Sequence, residues 1–149
     1  MTEGPYFKAG SPLRASLIEA STVGERLVLN GYVLSTDCQP ISNTLLDFWQ
    51  ADGNGAYDNA GYGLRGHQLT DEAGRYQLTT VVPGQYPGRT EHLHVRVEVP
   101  GGPALVTQLF FPASSGNQSD RIFDERLVIA LQQSPDGWAG SFNFILRAN

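Results

Sequence analysis

Of the three histidines in the chain, His67, His92 and His94, two stand two residues apart in the run His92-Leu-His-Val-Arg-Val-Glu-Val99. In an extended strand, residues i and i+2 project to the same side, so His92 and His94 present two imidazoles together. Imidazole is a base near neutral pH and a common metal ligand. Just upstream runs Pro83-Gly-Gln-Tyr-Pro-Gly-Arg-Thr-Glu91, a turn-rich approach that can fold Tyr86 and Arg89 back over the pair, with Pro87 fixing the backbone beside Tyr86. Such a histidine pair belongs either to a hydrogen-bonded polar surface or to a metal site.

Three metal chemistries compete for these residues. A calcium loop in Asp52-Gly-Asn-Gly-Ala-Tyr-Asp58 has early oxygen ligands but sets Ala56 and Tyr57 where further ligands and a glycine belong, so it fails on spacing. A cupin-type site would use His92, His94 and Glu98. Glu98 then lies roughly 13 Å beyond His94 at about 3.3 Å per residue, and no later histidine completes the set. A third site would combine the imidazoles with the phenols of Tyr57 and Tyr86. Phenolate is a hard anionic oxygen donor, and a trivalent cation such as Fe(III) holds tyrosine deprotonated although its free pKa is about 10.

The elements that must position these groups are short. With 17 glycines and nine prolines, the chain is punctuated into segments that suit strands. Residues 26–35, 44–50, 75–82, 92–99, 104–111 and 138–146 are rich in Val, Leu, Phe, Tyr and Thr and read as strands. In 92–99, Leu93, Val95, Val97 and Val99 form an apolar face, and His92, His94, Arg96 and Glu98 form a polar one. The expected fold is an all-β antiparallel sandwich with little helix, in one domain covering 1–149. Weak helical patterns cover 13–20 and 119–131, the latter opening on Ser119-Asp120 as an N-cap. The Gly-, Asn- and Asp-rich loop 51–66 is long enough to be functional.

The string Pro83-Gly-x-Tyr-Pro-Gly-Arg-x-x-His-x-His94 resembles the signature of the intradiol ring-cleavage dioxygenases. Glu3-Gly-Pro-Tyr-Phe7, Leu29-Asn-Gly-Tyr-Val33, Gln39-Pro-Ile41, Leu46-Asp-Phe-Trp-Gln-Ala-Asp-Gly-Asn-Gly-Ala-Tyr57, Leu64-Arg-Gly66, Thr70-Asp-x-x-Gly-x-Tyr76 and Thr107-Gln-Leu-Phe-Phe111 are similar to family segments in the same order. The resemblance implies an immunoglobulin- or transthyretin-like sandwich. It implies Fe(III) held by Tyr57, Tyr86, His92 and His94, with Tyr86 and His92 axial, and a catecholic substrate cleaved with O2. It also implies that Arg89 stabilises charge on the ring, that Gln108 hydrogen-bonds the substrate, and that Gly4, Pro5 and Tyr6 line its cavity. Tyr86 directly precedes Arg89, as in the small branch of the family. The helical dimerisation region of larger relatives has no counterpart, so any homo-oligomer would use another surface. Glu91 is expected to face solvent, Arg65 to be structural, His67 to lie on the surface and Cys38 to be a bystander in a turn. A non-catalytic sandwich recognising aromatics or carbohydrate is the remaining rival.

Composition removes other classes. Ten basic against 15 acidic residues give a net charge of −5, which disfavours a nucleic-acid or anionic-membrane surface. No stretch approaches the roughly 18 apolar residues of a membrane helix. A lone cysteine provides neither an internal disulfide nor a Cys-rich metal site. The beginning, Met1-Thr-Glu-Gly-Pro-Tyr-Phe7, has no basic and apolar leader, so a cytoplasmic protein is expected, or a secreted one whose leader has been removed.

Overall fold

Alternation makes the first strand: Leu27, Leu29 and Val33 turn inward and are fully buried, while Arg26 and Tyr32 face out. The computed structural model describes residues 3–85, 88–112 and 114–147. Its strands in chain order are β1 (Arg26–Ser35), β2 (Leu45–Trp49), β3 (Arg65–Leu69), β4 (Arg75–Val81), β5 (His92–Glu98), β6 (Ala104–Phe110), β7 (Ala130–Ser134), β8 (Gly137–Ser141) and β9 (Phe144–Leu146). One sheet runs β4-β1-β8-β7, with β9 also pairing β1; the other runs β3-β2-β5-β6. Leu27, Leu29, Val33 and Leu78 of the first sheet meet Leu46, Phe48, Leu93, Val95, Val97 and Leu109 of the second in a common core. The expected sandwich is thus present, its second sheet wholly antiparallel, while β8 and β9 run parallel to β1.

Three segments differ from expectation. Residues 13–20 are extended rather than helical. The amides of Arg14 and Leu17 donate to His67 and Thr79, and those of His67 and Thr79 donate back to Pro12 and Ala15, so the segment ties the β3 edge of one sheet to the β4 edge of the other. Leu13 is 71% exposed and Leu17 fully buried, which a shared helix face would not allow. The only helical part of residues 119–131 is a 3-10 turn at Glu125–Leu127, because the Ile129 amide donates to Phe110, draws the chain alongside β6 and leads it into β7. The expected strand 138–146 is interrupted at Phe142 and Asn143, whose groups bond Asn30 and Tyr32 of β1. Among the described residues no helix is long and apolar enough to cross a membrane.

The outward side of the four-stranded sheet positions the polar residues. Trp49, His94 and Gln108 are direct partners on β2, β5 and β6, so their side chains stand in one row. This end of the sheet is roofed by the N-terminal segment, the loop after β2 and the loop after β6. Phe7 packs edge-on against Trp49. Gly53 and Gly84 let the loop after β2 lie against the chain after β4: a Cβ on Gly84 would meet the Gly53 carbonyl at 2.5 Å.

Candidate metal centre

Burial distinguishes the two histidines from an ordinary polar strand face. His92 and His94 are each 4% exposed, so both faces of β5 are covered at this end, against the expectation of one open polar face. Desolvation above all, helped at His94 by neighbouring His92 and at both by the Arg89 charge, lowers the His92 pKa to about 4 and that of His94 to about 2. Both rings are therefore neutral near pH 7. The Nδ1–H of His92 donates to the Thr90 carbonyl at 2.7 Å, which leaves Nε2 with a lone pair. Trp49 stacks on His94 with centroids 4.9 Å apart and planes within 6°.

The loop after β2 brings Tyr57 to this pair. Its Oη lies 3.0 Å from His94 Nε2 and 3.4 Å from His92 Nε2, and the two Nε2 atoms are 3.1 Å apart. Tyr6 stacks on the Tyr57 ring at 4.1 Å with planes within 4°. Arg65, buried in β3, donates to the Asp58 carbonyl through Nε and Nη2 and to the Tyr6 carbonyl through Nη1, so one guanidinium clamps both tyrosine-bearing segments. Its expected structural role takes that specific form. Asp58 tightens the loop by accepting from the amides of Ala60, Gly61 and Gly63. Pro5 and Tyr6 line a cavity of about 450 Å³ with Phe7, Lys8, Asn59 and Arg65. Gly4 precedes them at φ +79° and is exposed.

On the other side of the histidines, Arg89 donates through Nη2 to Gln108 Oε1 and through Nε to Asp120 Oδ2 at 2.8 Å. Burial pushes the Asp120 pKa up, but the Arg89 bond and the Thr90 and Ile122 amides outweigh it and hold the carboxyl below its usual range. Asp120 was expected to cap a helix; it caps only a turn, through Ile122, and its second oxygen serves Arg89 and the Thr90 amide. Glu91 is half-buried rather than turned to solvent, accepting from Ser114 Oγ. His67 lies apart, its Nδ1 3.2 Å from Ser11 Oγ, and Cys38 is exposed in a turn. Tyr86 lies outside the described residues.

The donor set can hold a metal. Ligand atoms about 2.1 Å from one first-row ion stand about 3 Å from each other, the spacing of Tyr57 Oη, His92 Nε2 and His94 Nε2. Hydrogen bonding alone serves this triangle poorly, since its three edges share at most two protons. Among the described residues, nothing partners the buried His94 Nδ1. One phenol and two neutral imidazoles offer mixed hard and intermediate donors. The cupin-type alternative is corrected. Glu98 stands at the far end of β5, bonded by Arg96 Nη1 at 2.9 Å, and among the described residues no three of His, Cys, Asp and Glu converge.

The chain thus folds as a two-sheet sandwich with a buried tyrosine and histidine cluster under loops. A family model described as Dioxygenase matches residues 2–148. The chain belongs to the intradiol dioxygenase family. It is similar to the dioxygenase domain of a dioxygenase carbohydrate-binding protein fusion from Streptomyces sp. SirexAA-E, at 48% identity and TM-score 0.97, covering 100% of this chain and 97% of that one. It is also similar to 3-chlorocatechol 1,2-dioxygenase from Rhodococcus opacus, at 29% identity and TM-score 0.91, covering 99% and 71%. The 6-chlorohydroxyquinol 1,2-dioxygenase of Cupriavidus pinatubonensis is 28% identical over 97% of this chain, which spans 62% of that enzyme's length. Two hydroxyquinol 1,2-dioxygenases are matched over 55% of theirs.

Proposed function

We propose that the protein is a non-haem Fe(III) intradiol dioxygenase that cleaves a catecholic ring between its hydroxyl-bearing carbons. Catechol and O2 combine to a cis,cis-muconate-type diacid, both oxygen atoms ending in the product. One observation carries the proposal: Tyr57, His92 and His94 bring three donor atoms within 3.0–3.4 Å of one another, beside Arg89 and Gln108. Tyr86 is proposed as the fourth ligand. Ferric iron, when bound, supplies the Lewis acidity that takes up catechol as its dianion and opens the ring carbon to O2.

The chain's own residues do the rest. Tyr86 would accept one catechol proton on its phenolate oxygen as the substrate binds, and a hydroxide ion would take the second. Arg89, already placed by Asp120, stabilises negative charge developing on the ring without reorganising. Gln108 accepts from Arg89 through Oε1, leaving its amide N–H groups to donate to a substrate oxygen. Gly4, Pro5 and Tyr6 are proposed to line the substrate's side of the centre, where Tyr6 stacks on Tyr57. The cations near that cavity are engaged: Lys8 Nζ donates to the Gly61 carbonyl at 2.9 Å and sits over the Tyr62 ring, and Arg65 bonds two carbonyls. An uncarboxylated ring, such as catechol, hydroxyquinol, pyrogallol or a lignin-derived catechol, therefore suits the site better than protocatechuate. Relatives named for hydroxyquinol and chlorocatechol act on rings of that class, and a protocatechuate 3,4-dioxygenase beta chain, 32% identical over 82% of this chain, makes protocatechuate the comparison substrate.

The test is the visible spectrum and iron content of the purified chain before and after anaerobic catechol. A tyrosinate-to-iron charge-transfer band that moves to longer wavelength with catechol is expected. A colourless, iron-loaded protein indifferent to catechol would overturn the proposal in favour of a non-catalytic sandwich.

A further inference from the structure

The Asp120 side chain is 1% exposed, yet it carries the carboxylate that serves Arg89. Its Oδ2 accepts from Arg89 Nε at 2.8 Å and from the Thr90 amide at 2.8 Å, and its Oδ1 accepts from the Ile122 amide at 2.9 Å. Thr90 in turn offers the carbonyl that receives the His92 Nδ1–H. A single carboxylate oxygen thus ties the guanidinium on one side and, on the other, the residue that sets the His92 tautomer. The loop bearing Asp120 is itself held: Thr90 Oγ1 donates to Asn117 Oδ1 at 2.6 Å, and Asn117 Nδ2 donates to the Phe111 carbonyl at 2.9 Å.

Burying a carboxylate is costly unless it is paired and bonded. If closing the loop were the only task, an asparagine would serve Ile122, but its amide NH2 would then oppose both the Arg89 Nε–H and the Thr90 N–H. A charged oxygen is required only where the guanidinium must be held in place. We infer that Asp120 is the positioning residue of this centre, fixing Arg89 beside Gln108. The inference rests on the intradiol proposal for what Arg89 then does.

The experiment compares Asp120→Asn, Asp120→Glu, Arg89→Gln and the Arg89→Gln/Asp120→Asn double variant in the iron-loaded chain. Asp120→Asn is expected to keep iron and its charge-transfer band while kcat falls about 100-fold, the scale of a reacting group misplaced by about 1 Å. KM should stay within threefold, and Asp120→Glu should recover about tenfold. The double variant should turn over no more slowly than Arg89→Gln alone, since Asp120 acts through that side chain. An unchanged kcat per bound iron in Asp120→Asn, or losses that multiply in the double variant, would overturn the inference. If Asp120→Asn does not fold, Asp120→Glu carries the test with an expected tenfold loss in kcat.

A readout free of turnover separates this inference from the functional proposal. In the full chain with diamagnetic Ga(III) added, the Arg89 Nε–H resonance, identified by its loss in Arg89→Gln, should exchange with water at least tenfold faster in the Asp120 variants. Equal exchange would refute the positioning itself. A wild-type chain with neither the iron band nor turnover would refute the proposed activity instead.

Discussion

The two ends of β5 share a strand, a face and an alternating pattern, but differ in what lies over them. At the His92 end the outward face is roofed: both imidazoles are buried and held neutral, and the neighbouring Arg89–Asp120 pair has side-chain exposures of 15% and 1%. At the Glu98 end the same face is half open, and the Arg96–Glu98 pair has exposures of 30% and 40%. The strand's alternation is common to both ends. The difference comes from the Tyr57 loop, the N-terminal segment and the Asp120 loop, which cover one end only. Desolvation by those loops turns a polar strand face into a place where lone pairs meet and charges act at low dielectric.

The sharpest way to break this comparison is at the roofed end. Tyr57→Phe removes one donor atom while leaving a ring for Tyr6 to stack on. Turnover should fall about 1,000-fold, the upper end for losing a group that stabilises charge in a transition state. The visible band should weaken with it, checked by steady-state kinetics, iron content and absorbance. Arg89→Gln comes next, with kcat lower by about 100-fold and iron content unchanged. If Arg89→Gln instead strips the iron, Arg89 belongs to the architecture of the centre and its proposed role in turnover fails.

Much of the roofed end was legible in the sequence. The His-x-His spacing placed two imidazoles on one side, and alternation located β1 and β5. Four things were hidden, each for a physical reason. Edge strand β3, with Arg65, His67 and Gln68, lacks the apolar alternation that marks a half-buried strand, because it lies between β2 and residues 12–14. The spacing of Leu13 and Leu17 fits a helix, but pairing with β3 and β4 claims the amides. Asp120 looked like a helix cap because its task depends on Arg89 and Thr90, 31 and 30 residues away in the chain. The burial of His92 and His94 was likewise unreadable from 92–99, since remote loops produce it.

A pH series on the iron-free chain measures the cost of that burial. The depressed pKa values of His92 and His94 mean that the unfolded chain binds more protons below about 6.5. Stability should be full above that pH and fall as the pH drops toward about 4, by about 3 kcal/mol for His92 alone. Asp47, whose carboxyl is raised by burial, contributes the opposite slope in the carboxylate range. Urea midpoints between pH 7.5 and 4.5 check this: a flat profile would mean that the roof does not desolvate the imidazoles. Bound iron should steepen the low-pH part of the same profile, because it would hold both rings unprotonated in the folded state while the unfolded chain still takes up protons.

The smallest effect belongs to the open end. Glu98→Gln discharges an ion pair on the same strand and face as the histidines, four residues beyond His94. Because that pair is half exposed, its loss should change stability by less than about 0.5 kcal/mol, with kcat within twofold and iron content unchanged. The comparison is sharpest against Asp120→Asn, where the same chemical change, acid to amide opposite an arginine, is expected to cost about 100-fold in kcat. Solvent screens the first pair and leaves its arginine free to find water. The roof denies Arg89 that alternative, so its direction depends on Asp120. A Glu98→Gln variant that lost turnover or iron would show that the open end of β5 supports the centre as much as the roofed end does, and the comparison would fail.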